Sequence, residues 1–422
     1  MNIVLLSGGS GKRLWPLSND ILSKQFLKLL KTEKGKPESM VQRVYRQIKA
    51  NNPTADIFVS CNSNQKEILN IQLTDVETIL EPTRRDTFPA IVLSAAYLHF
   101  VKGLSLDENF IVCPIDVFAQ ENYFTSFQKL HETKKLKATN IGLLGVVPTY
   151  PSTKYGYILN KKFVEKPSVE DAEKLISQGA LWNCGVFALN IRYVLDKASA
   201  YLKFESYEQI YDNYNLLPKN SFDYEVSEKE KDIDVVVYQG IWKDLGTWNT
   251  LTEEMGSMEH GDDIFCDANS TNVINMLNIP IIVKDVDNAV VIASHDGILV
   301  STKPGTSDLK PLAEKVNYRP MYEQRNWGEY QVLDYKKTDK NSSLIKKIYL
   351  QAGKSIEPEK YENRYITYTV ISGKGILTVD GADSLLKDGD MVKIEKNQQH
   401  TLVAATAMEI IEIQYGKGEL NE

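Results

Sequence analysis

Strand-like apolar runs alternate with helical patterns through the first part of the chain. Ile3 to Leu6, Ile57 to Ser60, Glu77 to Leu80 and Asn109 to Pro114 read as short strands, and Met40 to Ile48, Gln65 to Ile71 and Pro89 to Phe100 carry helical spacing between them. That alternation predicts an α/β domain with a mostly parallel sheet and crossover helices. Ligands in such sheets sit at the carboxyl ends of the strands. The first strand ends there in a glycine-rich loop.

After Trp248 and the helix it begins, the pattern changes. Asn272 to Met276, Ile281 to Val283, Ala289 to Ile292 and Gly297 to Ser301 are short β segments without helices between them, as in a small β-helix or a compact β layer. Lys303 to Arg319, with Pro304, Pro311 and Pro320 in or beside it, reads as a connector. Beyond it the chain is β throughout. Ser343 to Leu350, Tyr365 to Ser372, Gly375 to Val379, Met391 to Ile394 and Met408 to Gln414 are separated by glycine and polar turns, the pattern of a small barrel or jelly roll. A chain of 422 residues exceeds one comfortable hydrophobic core, and these changes divide it into residues 1–258, 259–318 and 319–422.

Composition narrows the class. The formal net charge of −7 provides no basic footprint for nucleic acid, and no apolar run reaches the roughly 18 residues of a membrane span. Met1 leads straight into a buried-strand pattern without a charged segment and cleavable apolar stretch, so the cytoplasm is the expected location. Cys61, Cys113, Cys184 and Cys266 lie far apart with no CxxC spacing, which speaks against a zinc knuckle or a disulfide framework and leaves them as small core residues.

Candidate chemistry begins at Leu6 to Ser18, LSGGSGKRLWPLS. Gly8, Gly9 and Gly11 follow the first strand, with Lys12 and Arg13 directly behind them. Glycine lets backbone amides approach an anion, a helix starting after the loop would point its positive end at that anion, and the Arg13 fork can grip two phosphate oxygens. The loop lacks the Lys-Ser/Thr of a Walker motif and does not follow GxGxxG. By itself it reads as strand-to-helix punctuation.

The motifs that follow reverse that reading. GGSGKRLWPLS with SKQF (Ser23 to Phe26), EPTRRDTFPAI (Glu81 to Ile91), CPID (Cys113 to Asp116), YGYI (Tyr155 to Ile158), FVEKP (Phe163 to Pro167), LWNCGVF (Leu181 to Phe187) and WKDLGTW (Trp242 to Trp248) occur in order, and the series resembles the signature motifs of the mannose-1-phosphate guanylyltransferases. RNWGEY (Arg325 to Tyr330) is similar to the motif opening the cupin part of the bifunctional phosphomannose isomerase/guanylyltransferases. The resemblance implies a Rossmann-like, GT-A-like α/β nucleotidyltransferase domain with a mixed sheet, then a small β-helix-like segment and a C-terminal cupin-like β-barrel. It also implies transfer of a nucleoside monophosphate from GTP to mannose 1-phosphate, giving GDP-mannose and pyrophosphate.

Residue roles follow from the same resemblance. Arg13 lies on the triphosphate and Lys24 beside the reacting phosphates, while Asp116 and Asp244 hold Mg²⁺ through hard oxygen ligands. Taken singly, each aspartate reads as a turn or cap residue. Leu6, Gly8, Gly9, Ser10, Gly11 and Lys12 line the nucleotide, Lys12 being the weakest member as a flanking lysine. Glu81, Arg85, Asp86 and Thr87 form the nucleobase segment, with Asp86 where Asn is usual. Gly156, Glu165, Lys166, Asn183 and Gly185 form the sugar-phosphate pocket, Glu165 accepting from hydroxyls and Lys166 neutralising phosphate. Trp15, Trp182, Trp242 and Trp248 read as packing around the cleft.

The chain also departs from the pattern. The isomerase half of the bifunctional relatives needs a metal site built from a Gln, two His and a Glu. Aligning on Ser372-Gly373 puts Glu359, Tyr361 and Ile366 at the Gln, the first His and the Glu, and only His400 and Arg364 match. One imidazole cannot hold a catalytic zinc, so isomerase activity is expected to be absent and the domain to serve assembly or regulation. Only Leu159 to Lys162 separate YGYI from FVEKP, and Val117 replaces the usual His after Asp116. With Asp86, these changes make a nucleotidyltransferase for another NTP and sugar 1-phosphate the nearest alternative. A bifunctional enzyme and a non-catalytic nucleotide-sugar binder are the others. Expected partners are small-molecule substrates, with neither nucleic acid nor membrane; the sequence does not fix the oligomeric state and allows a homodimer.

Overall fold

The computed structural model describes every residue except Ser10, Asp20, Lys137, Ala138, Asp232, Asn317 and 418–422. It contains two compact units: Met1–Met258 with Lys303–Lys310, and Glu259–Thr302 with Pro311–Glu422. No helix of the described residues is long and apolar enough to cross a membrane.

In the first unit the apolar centre of Asn2–Leu6 is buried because the strand lies between two parallel neighbours, Asp56–Asn62 and Asn109–Pro114. Runs without polar alternation suit a sheet covered on both faces. Glu77–Glu81 extends the parallel set beyond Asp56–Asn62. The other flank changes direction: Leu181–Asn190 runs antiparallel to Asn109–Pro114, Ile141–Val146 and Tyr157–Leu159, while Ile233–Tyr238 is parallel to Ile141–Val146. The sheet is therefore mixed, with nine strands.

Helix Met40–Asn51 begins at a capping box between Ser39 and Gln42 and buries Met40, Val41, Val44 and Ile48. Helix Thr87–Ala96 is apolar on all sides, and every residue from Phe88 to Ala96 is buried, as expected of a helix enclosed by the core. Register decides where the strands end. Leu6 stands opposite both Ser60 and Pro114, and Asn62 opposite Glu81. The glycine loop, the residues after Pro114 and the end of Glu77–Glu81 thus leave the sheet at one edge.

The second unit starts with a β-helix-like coil. Glu259–His260, Asn272–Asn275 and Ala289–Ser294 stack in parallel on one face, Ile264–Asp267 and Ile281–Lys284 on another, and Gly297–Thr302 closes the first face antiparallel. Val273, Val283 and Val291 fill the interior. Asn275 Nδ2 holds the turns by donating to Asp262 O at 2.9 Å and Ile279 O at 2.8 Å. The expected connector is divided, since Lys303–Lys310 belongs to the first unit and Pro311 onward to the second. Thr306 Oγ1 accepts from Asn249 N at 3.1 Å, which ties that stretch to the first unit.

The expected cupin-like barrel takes the form of two antiparallel sheets. Six strands run in the order Tyr322–Arg325, Gly328–Lys337, Ser342–Leu350, Met408–Gly416, Arg364–Ser372, Met391–Ile394, and four in the order Ser355–Lys360, Gln399–Ala404, Gly375–Val379, Ala382–Leu386. No pairing among the described residues closes them into one barrel. Strict alternation of buried and more exposed positions, as along Ser342–Leu350, turns one face of each sheet inward. The enclosed core includes Leu344, Ile348, Ile366, Leu377, Leu402 and Ile410.

Gly373 turns the chain between two of these strands at φ 95°, where an added Cβ would lie 2.2 Å from Ala407 O. Gly373→Ala should therefore destabilise the second unit by roughly 2 kcal/mol or more, through the disfavoured backbone and the backbone contact together. The check is the thermal transition of that unit, which should fall while the first unit's stays in place.

Candidate active site

The glycine loop is followed by a four-residue 3-10 turn, Gly11–Leu14, and not by the expected α-helix. Pro16 stands two residues past the turn and has no N–H with which to continue it. Anion binding here rests on backbone amides and side-chain cations, with Arg13 exposed and Lys12 half-buried. Gly8 comes close to Glu81: a Cβ there would lie 2.8 Å from Glu81 Oε1. Gly9 has open space around it. Ser10, also expected at the nucleotide, lies outside the described residues.

Lys24 comes from a buried 3-10 turn, Lys24–Phe26. Gln25 Nε2 donates to Ser7 O at 2.5 Å and Ser7 Oγ at 3.0 Å, and Gln65 Nε2 to Ser23 Oγ at 2.7 Å. These bonds tie the turn to the glycine loop. Lys24 Nζ forms a hydrogen-bonded ion pair with Asp116. Just beyond Asp116, Val117–Ala119 pairs antiparallel with Trp242–Asp244, Asp244 facing Val117, and Leu245 N donates to Asp116 O at 2.9 Å. Two aspartates from distant parts of the chain thereby become neighbours.

Burial pushes both carboxyls up. At Asp116 the charge and hydrogen bond of Lys24, helped by Arg13, outweigh burial and hold the group below the usual carboxylate range. At Asp244 repulsion from Asp116 adds to burial, Lys24 and Arg13 offset it only in part, and the group stays raised. Asp244 Oδ1 is buried without a hydrogen-bond partner. Such an oxygen beside a second carboxylate suits a hard cation. No cluster of three or more His, Cys, Asp or Glu ligands occurs among the described residues. A pair of carboxylates fits Mg²⁺, which keeps several positions for water and substrate phosphates.

A cavity of about 200 Å³ at the carboxyl edge of the sheet brings together Leu6, Gly8, Gly9, Lys24, Glu81, Asp86, Thr87 and Asp116. Glu81 accepts from Ser60 Oγ at 3.1 Å and Tyr214 OH at 3.2 Å. Burial pushes its carboxyl up to about 7, against those two bonds. Asp86 holds φ 71°, ψ −175°, a conformation glycine alone adopts without strain, and caps the helix by accepting from Thr87 N at 2.8 Å. Arg85, which the resemblance assigns to the nucleobase segment, is bonded to residues 215 and 217. Its guanidinium donates to Leu217 O at 2.9 and 3.3 Å and to Asn215 Oδ1 at 3.5 Å, because the carbonyl before Pro218 needs a donor. Thr87 Oγ1 accepts from Phe222 N at 2.8 Å.

The predicted sugar-side residues also converge. Asn183 N donates to Gly156 O at 2.8 Å, and Gly156 lies against Phe163 and Glu165. Leu181–Asn190 is irregular between Asn183 and Phe187, and Asn183 Oδ1 accepts from Gly185 N at 3.0 Å within that irregularity. Glu165 is ion-paired with Lys166, yet burial keeps its carboxyl raised. Lys166 Nζ also lies 5.3 Å from the centre of the Tyr224 ring.

Sequence reasoning missed Asp223, whose Oδ1 accepts from Asn183 Nδ2 at 3.1 Å. Burial, then the charge of Glu165, pushes Asp223 up to about 7. In the sequence it is an acidic residue in the first turn of a short helix behind the N-cap Ser221, which reads as a complement to the helix dipole. Of the tryptophans, Trp248 is buried packing and donates to Trp15 O at 3.0 Å. Trp182 and Trp242, with Tyr150 and Tyr155, instead line a second cleft of about 620 Å³ that reaches Asp244.

In the second unit Glu359 stands opposite His400 on paired strands, with His400 Nε2 3.9 Å from Glu359 Oε2. Both ring nitrogens of His400 are buried without a hydrogen-bond partner. Ile366 is part of the apolar core. Arg364 lies 4.1 Å from the centre of the Tyr361 ring and donates to Gln414 Oε1 at 2.7 Å. Lys346 is a further cation in this layer, 3.8 Å from Glu412, with burial drawing its ammonium below the ordinary lysine range.

The sequence pattern described as Nucleotidyl transferase matches residues 2–260, and that described as Mannose-6-phosphate isomerase C-terminal matches residues 313–422. The chain is 28% identical to a protein named mannose-1-phosphate guanylyltransferase from Salmonella montevideo, over 98% of this chain and 95% of that one. It is 27% identical to a protein of the same name from Escherichia coli (strain K12), with the same coverage. Among solved structures, one titled mannose-1-phosphate geranyltransferase, from Thermus thermophilus, is similar at a TM-score of 0.61 and 25% identity, covering 74% of this chain and 98% of that one.

Glu81 yields a pH-dependent stability. Its ordinary carboxyl pKa is about 4.3 when unfolded, against about 7 in the fold. Between those values the folded state keeps a proton that the unfolded chain releases, so stability falls as pH rises through the window and levels off above about 7. From pH 5 to pH 8 the metal-free protein should lose on the order of 3 kcal/mol more than Glu81→Gln, measured by denaturant unfolding.

Proposed function

The chain belongs to the nucleotidyl transferase family, and we propose on that footing that it transfers GMP from GTP to mannose 1-phosphate, forming GDP-mannose and pyrophosphate. The observation that carries this reading is the convergence of Lys24, Asp116 and Asp244 beside the glycine-loop cavity. Phosphoryl transfer asks little covalent chemistry of a protein; it asks for alignment and for positive charge against the charge that develops.

An oxygen of the sugar 1-phosphate attacks the α-phosphorus of GTP, and the bond to pyrophosphate breaks as the new one forms. Amides of the Ser7–Gly9 stretch and the Arg13 fork hold the triphosphate, and Lys24 neutralises the reacting phosphate. Asp116 and Asp244 would hold Mg²⁺, which when bound adds positive charge at the reacting phosphates. Glu81 and Asp86 line the nucleoside cavity and suit a base with adjacent N–H donors, as guanine has. On the acceptor side Glu165 and Asn183 meet hydroxyls, and Lys166 faces phosphate. Likeness to the named guanylyltransferases over nearly the whole chain supports this substrate pair over others.

Pyrophosphate release should be fastest for GTP with mannose 1-phosphate in a panel of common nucleoside triphosphates crossed with sugar 1-phosphates. A tenfold preference for another pair would redirect the assignment. With the preferred pair, Asp244→Ala should lower kcat by about 100-fold or more; turnover near wild type at saturating Mg²⁺ would remove Asp244 from the site.

The second unit should be silent as an isomerase, because Glu359, Tyr361 and Ile366 do not rebuild a ligand set around His400. Purified protein should not interconvert mannose 6-phosphate and fructose 6-phosphate, with or without added zinc. Zinc-dependent isomerisation abolished by His400→Ala would establish the bifunctional alternative.

A further inference from the structure

Residues 214–223 cross between the nucleotide side and the sugar side of the first unit, and hydrogen bonds hold them at both ends. On the nucleotide side Tyr214 OH donates to Glu81, Arg85 donates to Leu217 O, Phe88 N donates to Asn220 O at 3.1 Å, and Phe222 N donates to Thr87 Oγ1. On the sugar side Asn183 Nδ2 donates to Asp223 Oδ1. The motif read from the sequence as the nucleobase segment is thus also the anchorage of this strap.

The bond to Asp223 has a consequence for Asn183. A carboxamide can present either its oxygen or its nitrogen to a ligand, and only its partners decide which. Here the oxygen accepts from Gly185 N, a backbone donor that the flipped amide could not meet, and one N–H donates to Asp223. Asn183 is left with one N–H to offer a hydroxyl of the sugar. Resting on the functional reading above, we infer that Asp223 is the positioning residue of the sugar subsite: carried on a strap anchored by Arg85 and Thr87, it fixes the Asn183 amide that receives a hydroxyl of the sugar 1-phosphate.

Steady-state kinetics of the full chain with GTP and mannose 1-phosphate test this. Loss of one orienting hydrogen bond to a half-buried amide corresponds to about a tenfold rise in KM for mannose 1-phosphate in Asp223→Ala, with KM for GTP and kcat within about threefold of wild type. Asp223→Asn keeps an acceptor oxygen for Asn183 and should recover most of that loss. Arg85→Ala, which removes one anchor of the strap on the nucleotide side, should raise the KM for mannose 1-phosphate and leave that for GTP near wild type.

A rise confined to the KM for GTP in Arg85→Ala would place Arg85 on the nucleotide and overturn the strap. Equal rises in both constants for Asp223→Ala, or no recovery in Asp223→Asn, would reduce Asp223 to a general structural role and overturn the proposal. If Asp223→Ala does not fold, the Asp223→Asn and Arg85→Ala measurements decide it. Wild-type protein that releases no pyrophosphate from this substrate pair would instead refute the functional reading.

Discussion

The cleft depends on keeping two carboxylates together. A three-residue antiparallel pairing sets Asp244 beside Asp116 at the carboxyl edge of the sheet, where burial and mutual repulsion both oppose ionisation. Like charges at close range in a half-buried site oppose each other by on the order of a few kcal/mol, so the arrangement calls for positive charge close by. Lys24 supplies part of it, and its own placement needs the Gln25–Ser7 and Gln65–Ser23 bonds. Asp116 is drawn to the ionised state while Asp244 stays raised and keeps an unpartnered oxygen.

The second unit meets a related problem differently. His400 and Glu412 are buried among the apolar side chains of this core, with Glu359 beside His400 and with Lys346, Arg364 and Gln414 buried there too. Lys346 provides positive charge from within the chain, on the strand paired with that of Glu412. A lysine ammonium cannot polarise a sugar carbonyl as a coordinated metal ion does. The two-sheet framework therefore holds a polar layer that carries cations of its own.

The segments around Glu81 and Asn183 are linked by hydrogen bonds. Glu81, Arg85, Thr87 and Phe88 hold residues 214–223, and that strap reaches Asn183. Asp86, strained at φ 71°, sits where this segment enters the core helix. Backbone strain of about 1–3 kcal/mol persists only where the surroundings hold it, and here the helix cap and the strap on either side do so.

Much of this was legible in the chain itself. The strands Asn2–Leu6, Asp56–Asn62, Glu77–Glu81 and Asn109–Pro114 follow from apolar runs between turn residues, and the β succession after Asp267 from short runs broken by glycine and polar residues. The ordered motifs named Lys24, Asp116 and Asp244 as one group and Glu165 and Asn183 as another, and the fold brings the members of each group near one another. Local patterns of this kind are set by near neighbours, so a linear reading captures them. Other features were absent from it: the antiparallel flank of the sheet, the replacement of an expected helix by a 3-10 turn, the division of the connector, the turning of Arg85 onto Leu217, and the part played by Asp223. Each depends on which distant segments pair and on which donor satisfies which buried acceptor. Those choices are made among groups far apart in the chain, after the sheet has fixed its register, and only the tertiary structure decides them.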